Sequence, residues 1–143
     1  MAATTKPIAF AMPANYVCVE ANGPGIADGA IIPFGTPVCM NGSGKILPVT
    51  STLIAADAVF LGIALDSWDN SNNQYSTTGP RQLYARNCQW DCPLTTNGLG
   101  APATLIGQLA GFVDNQTCSV GTAKALFRVD AINANGSIRL WIP

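Results

Sequence analysis

Apolar and polar residues alternate on both sides of an Asn-Gly pair near the C-terminus, in ALFRVDAINANGSIRLWIP. Asn-Gly is a strong hairpin signal because both residues tolerate the positive φ of a two-residue turn. With such a turn at 135–136, Val129 faces Ile142 and Ala131 faces Leu140. This register collects apolar side chains on one face of the hairpin. The opposite face then carries Arg128, Asp130, Arg139 and Trp141.

A second hairpin is predicted in the stretch TPVCMNGSGKILPV. Its strands cover residues 36–40 and 45–49, and residues 41–44 form the loop between them. Pro37 and Pro48 have no N–H to donate to a neighbouring strand. We therefore expect this hairpin at the edge of a sheet.

An uninterrupted apolar run over residues 58–65 predicts a strand buried on both faces or deep in a sandwich. A single helical turn is expected at 55–57, and no long stretch has the 3.6-residue period of a helix. Further strands are predicted over residues 16–21, 82–86, 105–113 and 117–120. The fold class is all-β, a small β-sandwich or barrel-like domain with hairpins and little helix.

The first 14 residues have a different character from the single β domain predicted over 15–143. They carry two prolines and one charge, with Ile8, Phe10 and Met12 at a period of two. Such a segment suits an extended N-terminal arm on a neighbouring subunit, or an edge strand of its own domain. Our hypothesis is the arm, with these three apolar side chains contributing to assembly more than to folding.

Composition separates this chain from a typical soluble monomer. Only 10% of its residues are charged, while 48% are hydrophobic, and soluble domains average about 25% charged. A surface with so few charges favours a protein packed in an assembly, so we predict an oligomer; a soluble monomer is the alternative.

The charged residues give little support to several functional classes. The net charge is −1 and the seven basic residues are scattered, so nucleic acid is not a predicted partner. The chain has no histidine, the commonest general base and metal ligand. No apolar stretch is long enough to predict a membrane span or a signal peptide, and we expect folding in a cytoplasm.

Five cysteines without a predicted export signal indicate free thiols. Cys88 and Cys92 are the closest pair, and in an extended strand they lie ~13 Å apart. A disulfide needs Cα atoms within roughly 7 Å. A zinc site would require a second pair of ligands with matching spacing, which the sequence lacks. We predict no metal and no cofactor.

The apolar run is followed by a long, nearly uncharged segment, which we call the polar loop (residues 66–80). Its amides would suit contact with a neighbouring subunit, because they avoid the desolvation cost of buried charges. Trp68, Tyr75 and Trp90 lie in or beside polar segments. They are either plugs of the β core or interface anchors, and the same rings could stack on a sugar.

The segment PFGTPVCMNGSGKILPVTSTLIAADAVFLGIALDS resembles part of the capsid decoration, or cement, proteins of tailed bacteriophages. The likeness rests on the order of its elements, and it covers about a quarter of the chain. The matching elements are Gly35 to Val38, Gly44-Lys45, Pro48, Thr50 to Ala58 and Phe60 to Leu65. The resemblance implies a β-rich protein that binds the outside of an icosahedral head, often as a trimer or dimer, and performs no catalysis.

The leading hypothesis is therefore a structural virion protein on the capsid surface, made in the host cytoplasm. Its partners would be the major capsid protein and like copies of itself. The alternative is a carbohydrate-binding or fibre-tip module that uses Trp68, Tyr75 and Trp90. An enzyme of unknown type is a third hypothesis, although hydrolase and phosphate-loop motifs are absent from the sequence.

Overall fold

The computed structural model describes residues 4–8, 17–21, 23–92, 94–95, 105–120 and 127–143. The fold is mostly β-strand, with 45% of the residues in strands, and the predicted all-β class is confirmed. The helix of the described part of the chain is short, α1 (Ser51–Ala55). The strands form three sheets of five, six and two strands.

The five-stranded sheet lies in the middle of the fold, and each of its neighbouring strand pairs is antiparallel. Its order is β1 (Val17–Ala21), β7 (Gln82–Arg86), β5 (Val59–Ala64), β3 (Pro37–Met40) and β4 (Ile46–Pro48).

The six-stranded sheet contains the C-terminal hairpin and is antiparallel except where β9 pairs with β11. Its order is β8 (Cys88–Cys92), β13 (Ile138–Ile142), β12 (Phe127–Ile132), β10 (Leu109–Phe112), β11 (Thr117–Val120) and β9 (Leu94–Thr95). A two-stranded ribbon is formed by β2 (Ile31–Ile32) and β6 (Trp68–Asp69).

The five-stranded sheet is buried on both faces, because successive side chains of a strand point to opposite sides. Ile63 and Ala85 belong to a first core, which packs against the six-stranded sheet. Ala64 and Tyr84, the neighbours of those residues in the chain, belong to a second core beneath the ribbon. The apolar run 58–65 thus contains the strand β5, which is buried on both faces in its second half, while Val59 at its start is exposed.

The chain passes from the five-stranded to the six-stranded sheet through one residue. Asn87 lies between β7 and β8 and has a φ of 52°. Asparagine adopts this left-handed conformation more readily than most residues. The corner brings Tyr84 and Trp90 into different cores although they are close in the sequence.

The C-terminal hairpin forms, but its predicted register is wrong. The loop has three residues, 134–136: Asn133 N–H donates to the carbonyl of Ser137 (2.9 Å), and Gly136 has a φ of 87°. Val129 pairs with Leu140, and a bulge follows it before the next pair. Val129 and Leu140 stay buried, but the bulge reverses the predicted faces of the two residues beyond it. Ile132 packs against the first core, and Ala131 pairs with Arg139.

The remaining predicted elements agree with the structure in position more than in exact length. The second hairpin is formed by β3 and β4, and β4 is an edge strand as the prolines predicted. The helix lies upstream of the predicted turn at 55–57, because the Thr50 hydroxyl accepts from Leu53 N–H (3.2 Å) and caps its N-terminus. β10 begins only at Leu109, since the preceding residues form a turn.

Candidate functional site

The outward side of the six-stranded sheet is the first candidate site; we call it the outer face. Strands β8 and β13 alternate strictly between buried and partly exposed positions. Their buried residues enter the first core. The side chains that point away from this core come from four adjacent strands: Gln89, Asp91, Leu109, Arg128, Asp130, Arg139 and Trp141.

One cross-strand row runs over the four strands of the outer face. Leu109 pairs with Arg128, Arg128 with Trp141, and Trp141 with Gln89. The guanidinium carbon of Arg128 lies 5.9 Å from the centre of the Trp141 ring, within cation–π range. Leu109 is 52% exposed. The row thus presents an apolar side chain and an Arg–Trp pair side by side.

The charges of the outer face are paired with one another. Arg139 donates two hydrogen bonds to Asp91, at 2.8 and 3.0 Å, and these lower the pKa of that carboxyl. Asp130 accepts from Arg128 (2.6 Å) and from Gln89 (2.9 Å). Burial alone would raise the pKa of Asp130, but these hydrogen bonds outweigh it and the pKa is lowered. Both acids are therefore ionised at neutral pH.

This arrangement suits contact with another protein. Arginine and tryptophan are enriched at protein interfaces and at their energetic hot spots. The ion pairs already satisfy much of the hydrogen bonding of the carboxylates, which reduces the cost of covering them. The outer face contains two of the seven basic and two of the eight acidic residues of the chain, so its charges are balanced.

The second candidate site is an apolar pocket of about 100 Å³ beside α1, which we call the helix pocket. Leu53 and Ile54 of α1 form one wall, and Asp57 and Ala58 border the pocket where the chain leaves the helix. The remaining lining comes from Cys39, Val49, Phe60, Phe112 and Phe127. The three phenylalanine rings pack against one another with centroids 4.5–5.6 Å apart.

The thiol in the helix pocket is not activated. Cys39 is 3% exposed, and its Sγ lies 3.7 Å from the carbonyl oxygen of Leu47. Burial raises the pKa of Cys39 to about 11, so the thiol is neutral at physiological pH. A neutral buried thiol behaves as a small hydrophobic group, and the pocket is apolar in character.

The polar loop does not offer its central amide to a neighbour. Asn70 is fully buried, and its Nδ2 donates to the carbonyls of Ile26 and Ala27 (both 3.0 Å). The side chain of Asn73 accepts from Gly29 N–H at 2.9 Å. The loop therefore folds onto the segment 23–30 and covers the second core, and the expectation that its amides lie across another subunit does not apply to the buried Asn70.

The three aromatic residues proposed from the sequence do not form a common surface. Trp90 has no exposed surface and donates from its indole N–H to the carbonyl of Gly35 (2.7 Å). Trp68 is 8% exposed and belongs to the second core, against which the partly buried Tyr75 packs. The core-plug alternative describes both tryptophans. Because both tryptophan rings are covered, these three residues do not form a stacking platform for a sugar.

The N-terminal residues that the structure describes, 4–8, contact their own domain. Thr4 exchanges two backbone hydrogen bonds with the side chain of Asn115, at 3.0 and 2.8 Å. Ile8 N–H donates to the Phe34 carbonyl (2.7 Å), and its side chain packs against the first core. Phe10 and Met12 lie outside the described residues, so the role of the arm in assembly stays a prediction.

All five cysteines lie within the described residues, and each has a free thiol. Cys18 is exposed and the other four are buried. In the described ranges, no group of three or more His, Cys, Asp or Glu side chains is arranged to hold a metal ion. The described residues include no helix with the length and hydropathy needed to cross a membrane.

Trp141 was not among the candidate interface residues, although a signal for it was present. The alternation of the C-terminal hairpin puts Trp141 on the same face as Arg128, and a tryptophan on a polar strand face is unusual. The helix pocket had no such signal, since its walls come from separate segments of the chain.

Comparison of the chain with models of known protein families gave no match, and a search of curated proteins also gave none.

Proposed function

We propose that this chain is a structural protein that binds the outside of a phage capsid and stabilises it through protein–protein contacts. The outer face is the contact surface in this proposal. The partners are the major capsid protein and like copies of the chain on the same shell. The protein acts by covering and joining subunits, without catalysis.

The observation that carries the proposal is the cross-strand row of the outer face. A half-exposed Leu109 beside the stacked Arg128 and Trp141 gives one apolar and one aromatic–cationic contact on adjacent strands. The pair of Arg128 and Trp141 has the residue chemistry of an interface hot spot, and Leu109 adds exposed apolar surface beside it. The likeness of the segment 33–67 to decoration proteins, together with the low charge of the chain, favours a capsid as the partner.

The test begins with the genome that encodes the chain. We expect a major capsid protein gene close to this one. That capsid protein, expressed alone, is assembled into empty shells and mixed with the purified chain. Cosedimentation at increasing concentration gives the affinity, and heating the shells with and without the chain gives the stabilisation. A chain that does not bind these shells, or a genome with no capsid gene, refutes the proposal.

The contribution of the outer face is measured with two matched arginine variants. Arg128→Ala removes the partner of Trp141, and we expect at least about tenfold weaker shell binding, the typical effect of a hot spot. Arg81→Ala is the control, since Arg81 is also exposed and also paired, with Glu20 at 2.8 Å on a different sheet. Equal effects of the two variants would show that the outer face is not the contact surface.

A further inference from the structure

The helix pocket is too small for a metabolite and has the size of a side chain. Ligand pockets usually measure about 300–1,000 Å³, whereas this one measures about 100 Å³. An apolar cavity of about 150 Å³ takes up one benzene molecule. The helix pocket is smaller than that cavity and is open on one side, so it has room for a branched alkyl group or for most of a single ring.

Water is a poor occupant of the helix pocket. Cys39 Sγ already has the Leu47 carbonyl as a neighbour, and most of the other lining side chains are hydrocarbon. A water molecule needs two to four polar partners to be held in a cavity. An apolar group that displaces solvent here would gain the burial of its own surface and of the three phenylalanine rings.

The rim of the helix pocket indicates what surrounds the occupant. Asp57 is exposed on the rim and is the charged member of the lining. It has a φ of 55°, which directs the chain from α1 into β5. The rim thus carries a negative charge where the chain leaves α1.

We infer that the helix pocket receives one apolar side chain, of leucine, methionine or phenylalanine size, from the capsid subunit that this protein binds. A basic residue of that subunit lies opposite Asp57. The inference rests on the proposed function and names a second contact for it, distinct from the outer face. In such a contact, one side chain is fully buried and the ion pair at the rim adds specificity.

Toluene, a stand-in for a phenylalanine side chain, tests the pocket without the partner. In a methyl-labelled sample we expect saturable shifts of the Val49, Leu53 and Ile54 methyl signals. Ala58→Leu should remove these shifts, because the added isopropyl group enters the pocket. Ala56→Leu, the same change at an exposed helix-end residue, should leave them unchanged. Absence of toluene shifts in the wild-type protein overturns the inference.

The capsid contact is tested with the same variants and the empty shells described above. We expect Ala58→Leu to weaken shell binding at least about tenfold and Ala56→Leu to leave it unchanged. Toluene should also compete with shells for the wild-type protein, a measurement that does not depend on the folding of any variant. Wild-type binding that neither Ala58→Leu nor toluene weakens overturns this inference and leaves the proposed function standing. Absence of wild-type binding overturns both.

The basic partner residue is tested with Asp57→Asn. Asparagine tolerates the same left-handed backbone, so the variant removes the charge and keeps the backbone conformation. We expect about threefold weaker shell binding and a smaller loss of affinity between low and high salt. An unchanged affinity and salt dependence would show that no basic group faces Asp57.

Discussion

Asn70 is expected to hold the polar loop in place, and replacing it should reveal how much stability that loop provides. Its Nδ2 lies within 3.0 Å of the Ile26 and Ala27 carbonyls and 3.1 Å from Ser76 Oγ. Its Oδ1 accepts from Tyr75 N–H at 2.7 Å. Asn70→Ala removes these contacts in a site that is fully buried.

The loss of stability in Asn70→Ala follows from the backbone groups that no longer have Asn70 as a hydrogen-bond partner. The Ala27 carbonyl still accepts from Ala30 N–H (3.0 Å), so the main losses are at the Ile26 carbonyl and the Tyr75 N–H. Each buried group without a partner costs about 1–3 kcal/mol. Because the surrounding structure relaxes in part, we expect the two groups together to lower the free energy of unfolding by about 2–4 kcal/mol. For a chain of this size that lowers Tm by roughly 6–12 °C.

The assay is urea denaturation of the wild type, Asn70→Ala and the control Asn72→Ala. Asn72 is an exposed residue of the same loop, and its replacement should change the free energy of unfolding by less than about 0.5 kcal/mol. Asn70→Asp adds a second check: its carboxylate faces the Ile26 and Ala27 carbonyls, and its stability should improve as pH falls and the group is protonated. If Asn70→Ala is as stable as Asn72→Ala, the loop is not held by this side chain.

Three further perturbations test the sheet, the N-terminal segment and the thiols. The hydrogen bonds from Arg139 hold the folded pKa of Asp91 below its unfolded value, so their stabilisation is present above about pH 4 and is lost as pH falls. Urea titrations should show Asp91→Asn about 0.5–1 kcal/mol less stable than the wild type at pH 7 and equally stable near pH 2. A difference in the free energy of unfolding that is the same at both pH values would contradict this. A Cβ on Gly35 would lie 1.6 Å from the Ile8 carbonyl oxygen, at a φ of 80°. Gly35→Ala should therefore cost about 1–3 kcal/mol and speed hydrogen exchange of the Ile8 amide, and unchanged exchange would show that the N-terminal segment is held otherwise. A thiol reagent should modify Cys18 rapidly and all five cysteines only after denaturation; fewer than five would reveal a disulfide.

The strands were largely predictable because their signals are local. β7 and β11 have the predicted bounds, and the faces of the C-terminal hairpin follow from its alternation except at Ala131 and Ile132, beyond the bulge. Its register was not predictable from the Asn-Gly pair alone. Asn135 Oδ1 accepts from Ser137 N–H (3.0 Å), and the turn takes three residues. A bulge after Val129 then realigns the strands in a way that depends on packing against the first core.

The sequence by itself determined the all-β class, the second hairpin, and a β5 strand apolar enough to be buried on both faces. Only the tertiary structure decided that the polar loop covers the second core and that Trp68 and Trp90 are buried. A tryptophan in a polar segment has the same local pattern in either case. Its exposure depends on whether a segment distant in the chain, such as residues 23–30 over Trp68, packs against it. The helix pocket also depends on segments that are distant in the chain, because its walls come from α1 and from strands of both large sheets.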